Sequence, residues 1–503
     1  VTVRFSSSGV SGETGARRSG IRPAAVGRAL ATGVTGLVLL LLVLVVVRLP
    51  WMGDLGIHAA TVQRLRHSPL APGNPLVDAN TPSPYYSPWT LVLGGVARAT
   101  GLDVFVVLRL AAAVGLSLLV TGVWRYVRTL SAHPAAPVLA LLSLWFLWGT
   151  EPLLWSGFTG LHSLALTAAY PSTFTLGLAF HFWTWLSGAL RRPAGWRVWL
   201  GLGVLWAVIL LCHQFSGVVA TAGAAATVAA ARPGRAVWPR LGGALLLGVS
   251  VLGAWPYYDF FALADAGERL ETVHRVLYAH PVARFGLALL GVAALVARWR
   301  RDHRDPLVVF CALGVLAVAA GRVTGHYSWA RALPAAVIPA QLAAALAVVE
   351  AGSRRVWAAL LAAALLAGAW AQAGALGYVV PADALPGPVA EKYRRPWPGY
   401  GWITSRVRYG DVVMADGRVA RQVPAYGPYT VAPGYPDFFL ADEERRVAAT
   451  RAYFAAGTSP FERRRIEREY EVRWVLDHRG VLHDPALRAV ARGPRGEVLY
   501  AVP

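Results

Sequence analysis

Several short stretches carry side chains able to do chemistry, and each lies beside an apolar run. Asp54 and His58 stand in "WMGDLGIHAATVQRLRH", Glu151 and His162 in "GTEPLLWSGFTGLHS", and His213 in "CHQFSG". Arg322, His326, Tyr327 and Arg331 stand in "GRVTGHYSWARALP". A carboxylate held beside a hydroxyl can take its proton. The histidine, tyrosine and arginine packed into "HYSWAR" suit a phosphate, which takes charge-assisted hydrogen bonds. Arg109, in "VLRLAAAVG", lies in an apolar segment and needs an anionic partner, either a loop carboxylate or a lipid phosphate. Each residue also has an ordinary structural use. Asp54 suits the N-cap of the segment that follows it. His162 and His213 suit hydrogen bonding at the ends of spans, and Arg331 suits snorkelling to an interface.

The elements that position these residues are membrane spans. Of 503 residues 56% are hydrophobic and 15% charged, a composition rare in soluble proteins of this size. Apolar runs cover 30–49, 103–124, 134–149, 172–190, 197–212, 216–231, 241–256, 284–299, 306–321, 332–350 and 357–378, about eleven spans by length and hydropathy. The net charge of +21 comes almost wholly from arginine, since Lys392 is the one lysine. Arginine clusters sit before the first span and between later ones: Arg125/Arg128, Arg191/Arg192/Arg197, Arg232/Arg235/Arg240, Arg298/Arg300/Arg301/Arg304 and Arg354/Arg355. Clusters in short loops set orientation, so the charge does not imply a nucleic-acid partner. They place the N-terminus in the cytoplasm and the C-terminus outside a plasma membrane. Asp54, Glu151, His162, His213, Asp259, His326 and Arg331 then share the outer face. An ionisable group at membrane depth is costly and is a functional candidate by default.

Residues 1–28 form a polar, Gly/Ser-rich, basic tail, expected to be disordered and cytoplasmic. The transmembrane domain covers 29–380. Its first outer loop holds two short apolar stretches, 54–66 and 85–100, expected as surface helices joined by the Pro/Asn-rich turn "HSPLAPGNPLVDANTPSP". A Pro/Gly-rich linker, 381–402, leads to an extracytoplasmic α/β domain, 403–503. There "DVVMA", "VRWVLDH" and "GEVLYAV" are strands. "ADEERRVAATRAYFAAG" and "SPFERRRIEREYE" are helices, the second opened by a capping-box spacing. The two cysteines, Cys212 and Cys311, lie in apolar runs and imply neither a disulfide nor a metal site.

From residue 30 to about 190 the order of parts resembles the GT-C glycosyltransferases, polytopic enzymes that use lipid-phosphate-linked sugars. The matching parts are the first span and the acid after it ("GDLGIH"), two helices in the first loop, "LRLAAAVG" opening the next span, and the acid of "GTEP". The resemblance implies a GT-C-like all-α membrane domain with the small α/β domain appended. In the protein mannosyltransferase and aminoarabinose transferase branch, the first-loop Asp is the catalytic base and no metal or cofactor is required. That role falls on Asp54, with Glu151 as a second acid and Arg331, His326 and Arg109 on the donor phosphate. His58, His162, His213 and Tyr327 are further cavity candidates. Many relatives have a second acid directly after the first, where this chain has Leu55. The implied partners are a polyprenyl-phosphate sugar, a glycan, lipid or protein acceptor, and the bilayer. The overall style resembles actinobacterial members that build envelope glycans. The alternative is a transporter or flippase for a lipid-linked or anionic substrate. That predicts an internal repeat and charges near the bilayer midplane. No repeat is found, and the ionisable groups gather at one set of span ends. A non-catalytic envelope scaffold is the third reading.

Overall fold

The computed structural model describes residues 23–264, 267–480, 482 and 484–503. Most of the expected N-terminal tail therefore lies outside the described residues. The chain opens with α1 (Pro23–Arg48), α2 (Leu55–His67), α3 (Pro88–Thr100), α4 (Val104–Leu130), α5 (Ala136–Phe146), α6 (Leu161–Thr167) and α7 (Pro171–Arg191). It continues with α8 (Trp196–Cys212), α9 (Gln214–Ala231), α10 (Trp238–Gly253), α11 (Gly267–His274), α12 (Pro281–Phe285) and α13 (Leu289–Trp299). α14 (Pro306–Thr324), α15 (Leu333–Glu350) and α16 (Arg354–Ala371) complete the helical domain.

Among the described residues, 8 helical segments are long and apolar enough to cross a membrane, and α5 and α8 are shorter apolar helices. The remaining expected segment, 172–190, falls on α7, whose 21 residues include the polar Ser172, Thr173, Thr175, His181 and Thr184. The chain is a multi-pass membrane protein. Its helices touch through small residues, as expected where lipid offers no hydrophobic drive to associate. A Cβ on Gly291 of α13 would lie 2.0 Å from the carbonyl oxygen of Ala340 on α15, and one on Gly314 of α14 2.3 Å from the Ala336 nitrogen. At the end of α15 away from Arg331, Arg298 bridges Asp305 and Glu350, each at 2.9 Å. That pins α13, α14 and α15 together.

The C-terminal part, named the soluble domain because no candidate span falls in its described residues, holds a short α17 (Gly387–Ala390), then β1 (Val412–Met414), α18 (Gly417–Gln422), β2 (Tyr429–Thr430), α19 (Glu443–Tyr453), α20 (Pro460–Glu469), β3 (Val472–Asp477), β4 (Arg488–Arg492) and β5 (Val498–Ala501). The strand order is β2-β1-β3-β5-β4. β1 pairs parallel with β2 and β3, and β5 pairs antiparallel with β3 and β4. The three expected strands and two expected helices are present. β2 and β4 are additions, one of them only two residues long.

The first loop departs from expectation in its surroundings. α2 was expected to lie on the membrane surface with a wet polar face, yet Leu55 to Val62, Arg64 and Leu65 are all buried. Two neighbours cover it. On one side, a Cβ on Gly94 of α3 would lie 2.4 Å from the Leu65 side chain. On the other, a Cβ on Gly56 would lie 1.9 Å from the Arg421 carbonyl oxygen of α18. The soluble domain thus sits directly on α2. Buried Arg64 fastens the contact, donating to the carbonyls of Gly427 and Pro428 at 2.7 Å each. Buried Asn74 adds a bond to Asp437 at 2.6 Å.

Candidate functional site

The turn after α1 presents Asp54. Pro50 lacks the N–H that would continue the helix, and Leu49 already has a positive φ of 49°. Gly53 follows with φ +63°, a backbone region that favours glycine. Two tyrosines grip the turn: Tyr170 donates to the Met52 carbonyl and Tyr435 to that of Gly53, the latter at 2.7 Å. Asp54 occupies the N-cap position of α2, with φ −89° and ψ 8°, and its side chain makes no capping bond. The capping role open to it in the sequence is therefore unused.

The Asp54 carboxyl is pushed above the ordinary carboxylate range by burial, and the charges of Arg331 and Arg421 pull it back down. Both guanidiniums are thus within electrostatic reach. Arg331 lies in the short helical segment Tyr327–Ala332 that leads into the buried helix α15. It is only 5% exposed, which matters because a buried charge needs partners. One nitrogen donates to Ser156 at 2.9 Å, while Nε and Nη1 have no partner. Its guanidinium lies 4.6 Å over Phe215 and 5.3 Å over Trp155. Glu271 of α11 holds the same segment in place, accepting from the Ser328 N–H at 2.7 Å and its hydroxyl at 2.8 Å. Arg421 comes from the soluble domain. Its Nε donates to the Gly434 carbonyl at 2.7 Å, and its guanidinium lies 5.2 Å from the Tyr435 ring.

Aromatic and imidazole rings pack around the turn. His58, one turn along α2, meets Tyr170 at 4.7 Å and Tyr85 at 5.7 Å between ring centres. Burial pushes its imidazole down to about 3, so it is neutral at physiological pH. His213 caps α9, accepting from the Ser216 N–H at 3.1 Å. Burial first, then the charge of Arg331, hold it well below its usual value. The Tyr85 hydroxyl is pushed up by burial and by Asp54. The result is one buried acid that feels two arginines, among neutral rings. It can accept a proton on one side and bind an anion on the other.

Of the residues singled out in the sequence, Asp54, His58, His213 and Arg331 come together. The others do not join them. Glu151 is exposed and faces His280 at 3.8 Å. His326 is exposed and stacks on Trp329. Tyr327 lies between Arg275 and Arg322, at 5.4 and 6.0 Å. His162 is fully buried, bonded to Tyr378 at 2.8 Å, while its N–H meets Gln372. It fastens α6 to the chain after α16. Arg109 donates to the Val47 carbonyl at 2.9 Å and lines a cavity whose wall does not include Asp54. Tyr85, Tyr170, Arg421 and Tyr435 were missed as site residues. Among the described residues, no three His, Cys, Asp or Glu side chains gather as a metal-ligand set.

No family model matches the chain, and no curated protein sequence matches it. Solved structures do. ArnT from Cupriavidus metallidurans in the apo state aligns over 95% of this chain and 98% of its own, with a TM-score of 0.53 and 14% identity. The Archaeoglobus fulgidus oligosaccharyltransferase in complex with Zn and sulfate aligns over 93% of this chain and 74% of its own, with a TM-score of 0.47 and 13% identity. The same organism's AglB with an inhibitory peptide and a dolichol-phosphate aligns over 90% and 69%, at 0.45 and 13%. ArnT is a GT-C glycosyltransferase. The resemblance read from the first span, its acid and the paired helices of the first loop therefore holds over nearly the whole chain: this protein has the fold shared with ArnT.

Proposed function

We propose that the chain is an integral-membrane glycosyltransferase. It moves a sugar from a polyprenyl-phosphate donor to a hydroxyl of an envelope glycan, lipid or protein at the outer membrane face. The observation that carries this reading is an Asp54 carboxyl that makes no capping bond and lies within electrostatic reach of a buried Arg331 that keeps donors without protein partners.

The chemistry follows from that pairing. Asp54 takes the proton from the acceptor hydroxyl as its oxygen attacks the anomeric carbon. The bond from that carbon to the phosphate oxygen breaks, and the lipid phosphate leaves with the electron pair. Arg331 neutralises the charge gathering there through charge-assisted hydrogen bonds. One displacement inverts the anomeric centre. General-base help of this kind contributes a factor of about 10² to 10⁴ in rate. A carboxyl lifted toward neutral pH is a stronger base than an ordinary one, and Asp54 is lifted. Arg421 and Tyr435 give the soluble domain a part in the site. They hold the Asp54 turn from above, so the catalytic acid is set only when that domain is docked.

The test is product release. The purified chain, given a polyprenyl-phosphate sugar and acceptor-containing membranes, should liberate polyprenyl phosphate in step with glycosylated acceptor. Movement of intact donor across vesicles with no phosphate released would favour the flippase instead.

A further inference from the structure

A cavity of about 570 Å³ opens between the end of α1 and the start of α4. Arg48, Arg109, Trp51, Phe105, Trp397 and Tyr426 are among its lining residues. Its lining includes Trp51 and Leu55, on either side of Asp54, but none of Asp54, Arg331 or Arg421. Three of its rings form a cluster: Trp51 to Tyr426 is 5.8 Å, Trp51 to Phe105 is 5.5 Å and Phe105 to Tyr426 is 5.3 Å. The Trp397 N–H donates to the Trp51 carbonyl at 2.7 Å, which fixes the linker as the outer wall.

Its charge is unbalanced. The Nε bond to Val47 holds the Arg109 guanidinium beside the end of α1 and is the only hydrogen bond that side chain makes among the described residues. Arg48 makes none there. The lining acid is Asp103, whose Oδ1 already accepts from the Phe105 N–H at 2.8 Å. Two guanidiniums without a carboxylate partner, at one mouth, are the arrangement that holds a phosphate. The position selects its source. Arg48 closes the apolar span Gly27–Arg48, and Arg109 lies within the span Val104–Leu130. Beside them Leu44, Val47, Val106 and Leu110 are exposed, an apolar rim at the level of the bilayer. A soluble anion has no use for that rim, whereas a lipid chain lies along it.

We propose that this cavity binds the phosphate head group of a membrane lipid, at a site distinct from the one around Asp54 and Arg331. Arg48 and Arg109 hold the phosphate, and the aromatic cluster backs the rest of the head group. The proposal stands whether or not the chain transfers sugar.

The test is native mass spectrometry of the full-length chain in detergent, titrated with phosphatidylglycerol or with phosphatidylcholine of the same acyl chains. The first bound lipid should favour phosphatidylglycerol by roughly tenfold, equivalent to about 1.4 kcal/mol. Arg48→Glu, at an exposed side chain with no internal bond, should abolish that preference while the chain stays folded. Arg48→Ala combined with Arg109→Lys should weaken it, and Arg48→Ala with Arg109→Ala should remove it. Equal binding of the two lipids by the native chain overturns the proposal, as does an unchanged preference in Arg48→Glu. Displacement of the lipid by millimolar inorganic phosphate would mark a site for a soluble anion and would also overturn it.

Discussion

Arg64→Ala should undock the soluble domain from α2. Arg64 is fully buried and donates to two consecutive carbonyls, Gly427 and Pro428, at 2.7 Å. A third contact, to Pro75 at 3.4 Å, is too long to matter much. The guanidinium also lies 3.6 Å over the Tyr429 ring. A hydrogen bond from a charged donor contributes about 1.5–3 kcal/mol net. Two such bonds and a desolvated cation–π contact do not simply add, and a loss of about 3 kcal/mol is a fair lower figure. At 1.4 kcal/mol per decade, the docked-to-undocked ratio falls roughly a hundredfold. Arg64→Lys should lose most of the same amount, because an ammonium cannot span both carbonyls as a fork. The assay is limited proteolysis of the linker 381–402, read alongside hydrogen exchange in α2. Both variants should be cut faster and should expose α2 amides, while the transmembrane core stays protected. Sugar transfer should fall with docking, since Tyr435 and Arg421 leave the Asp54 turn together. Native-like cleavage and native-like transfer in Arg64→Ala would refute the claim that docking sets the acid.

Gly56→Ala should act on the same contact from the other side. A Cβ there meets the Arg421 carbonyl at 1.9 Å, and overpacking of this sort costs about 1–3 kcal/mol; thermal unfolding should show a lower midpoint, and an unchanged one would mean that the helix pair can slide apart freely. Arg421→Met should lower kcat more than KM, measured by radiolabelled sugar transfer, because the residue faces the acid rather than carrying the donor; a pure KM effect would assign it to binding. The pH profile should show an acid limb above the ordinary carboxylate range. In the proposed reaction Asp54 works as the ionised base, so kcat/KM should fall as pH drops through its raised pKa. Arg331→Met removes a charge that pulls this pKa down, so the limb should move to higher pH. A limb that stays put or moves lower contradicts the electrostatic picture. His58, held at about 3, should contribute no limb near neutrality, and His58→Gln should leave the profile's shape intact.

Much of the framework was legible because membrane helices advertise themselves. Eleven apolar runs and their arginine clusters located α1, α4, α5, α7 to α10 and α13 to α16, and the two helices of the first loop fell within three residues of expectation at either end. Asp54 stood out because an acid directly after a span is costly without a use. Arg331 stood out because arginine at that depth is. Other features left no local mark. Arg421 and Tyr435 lie in a domain already rich in arginine and tyrosine, and nothing in their spacing indicates that Tyr435 reaches back 382 residues to Gly53 or that Arg421 acts on Asp54, relations set by tertiary packing alone. The burial of α2 was hidden for the same reason: its period marks one apolar face, while the domain that covers the opposite face comes last in the chain. Glu151 and His326 misled in the other direction. Each sits at the right span end, but span ends form a ring, and sequence gives a residue's height along the membrane normal without its angle around the bundle. Glu151 turns to His280 and His326 to Trp329.

Sugar transfer by Asp54→Asn bears most directly on the whole account. Asparagine keeps the size of the side chain and, since no capping bond is made, should leave the fold unharmed. With native donor and acceptor, transfer should drop by a factor of about 10² to 10⁴, while donor binding and thermal stability stay near those of the native chain. Transfer at the native rate by a folded Asp54→Asn protein would contradict the assignment of the base, and with it the reaction built on that turn.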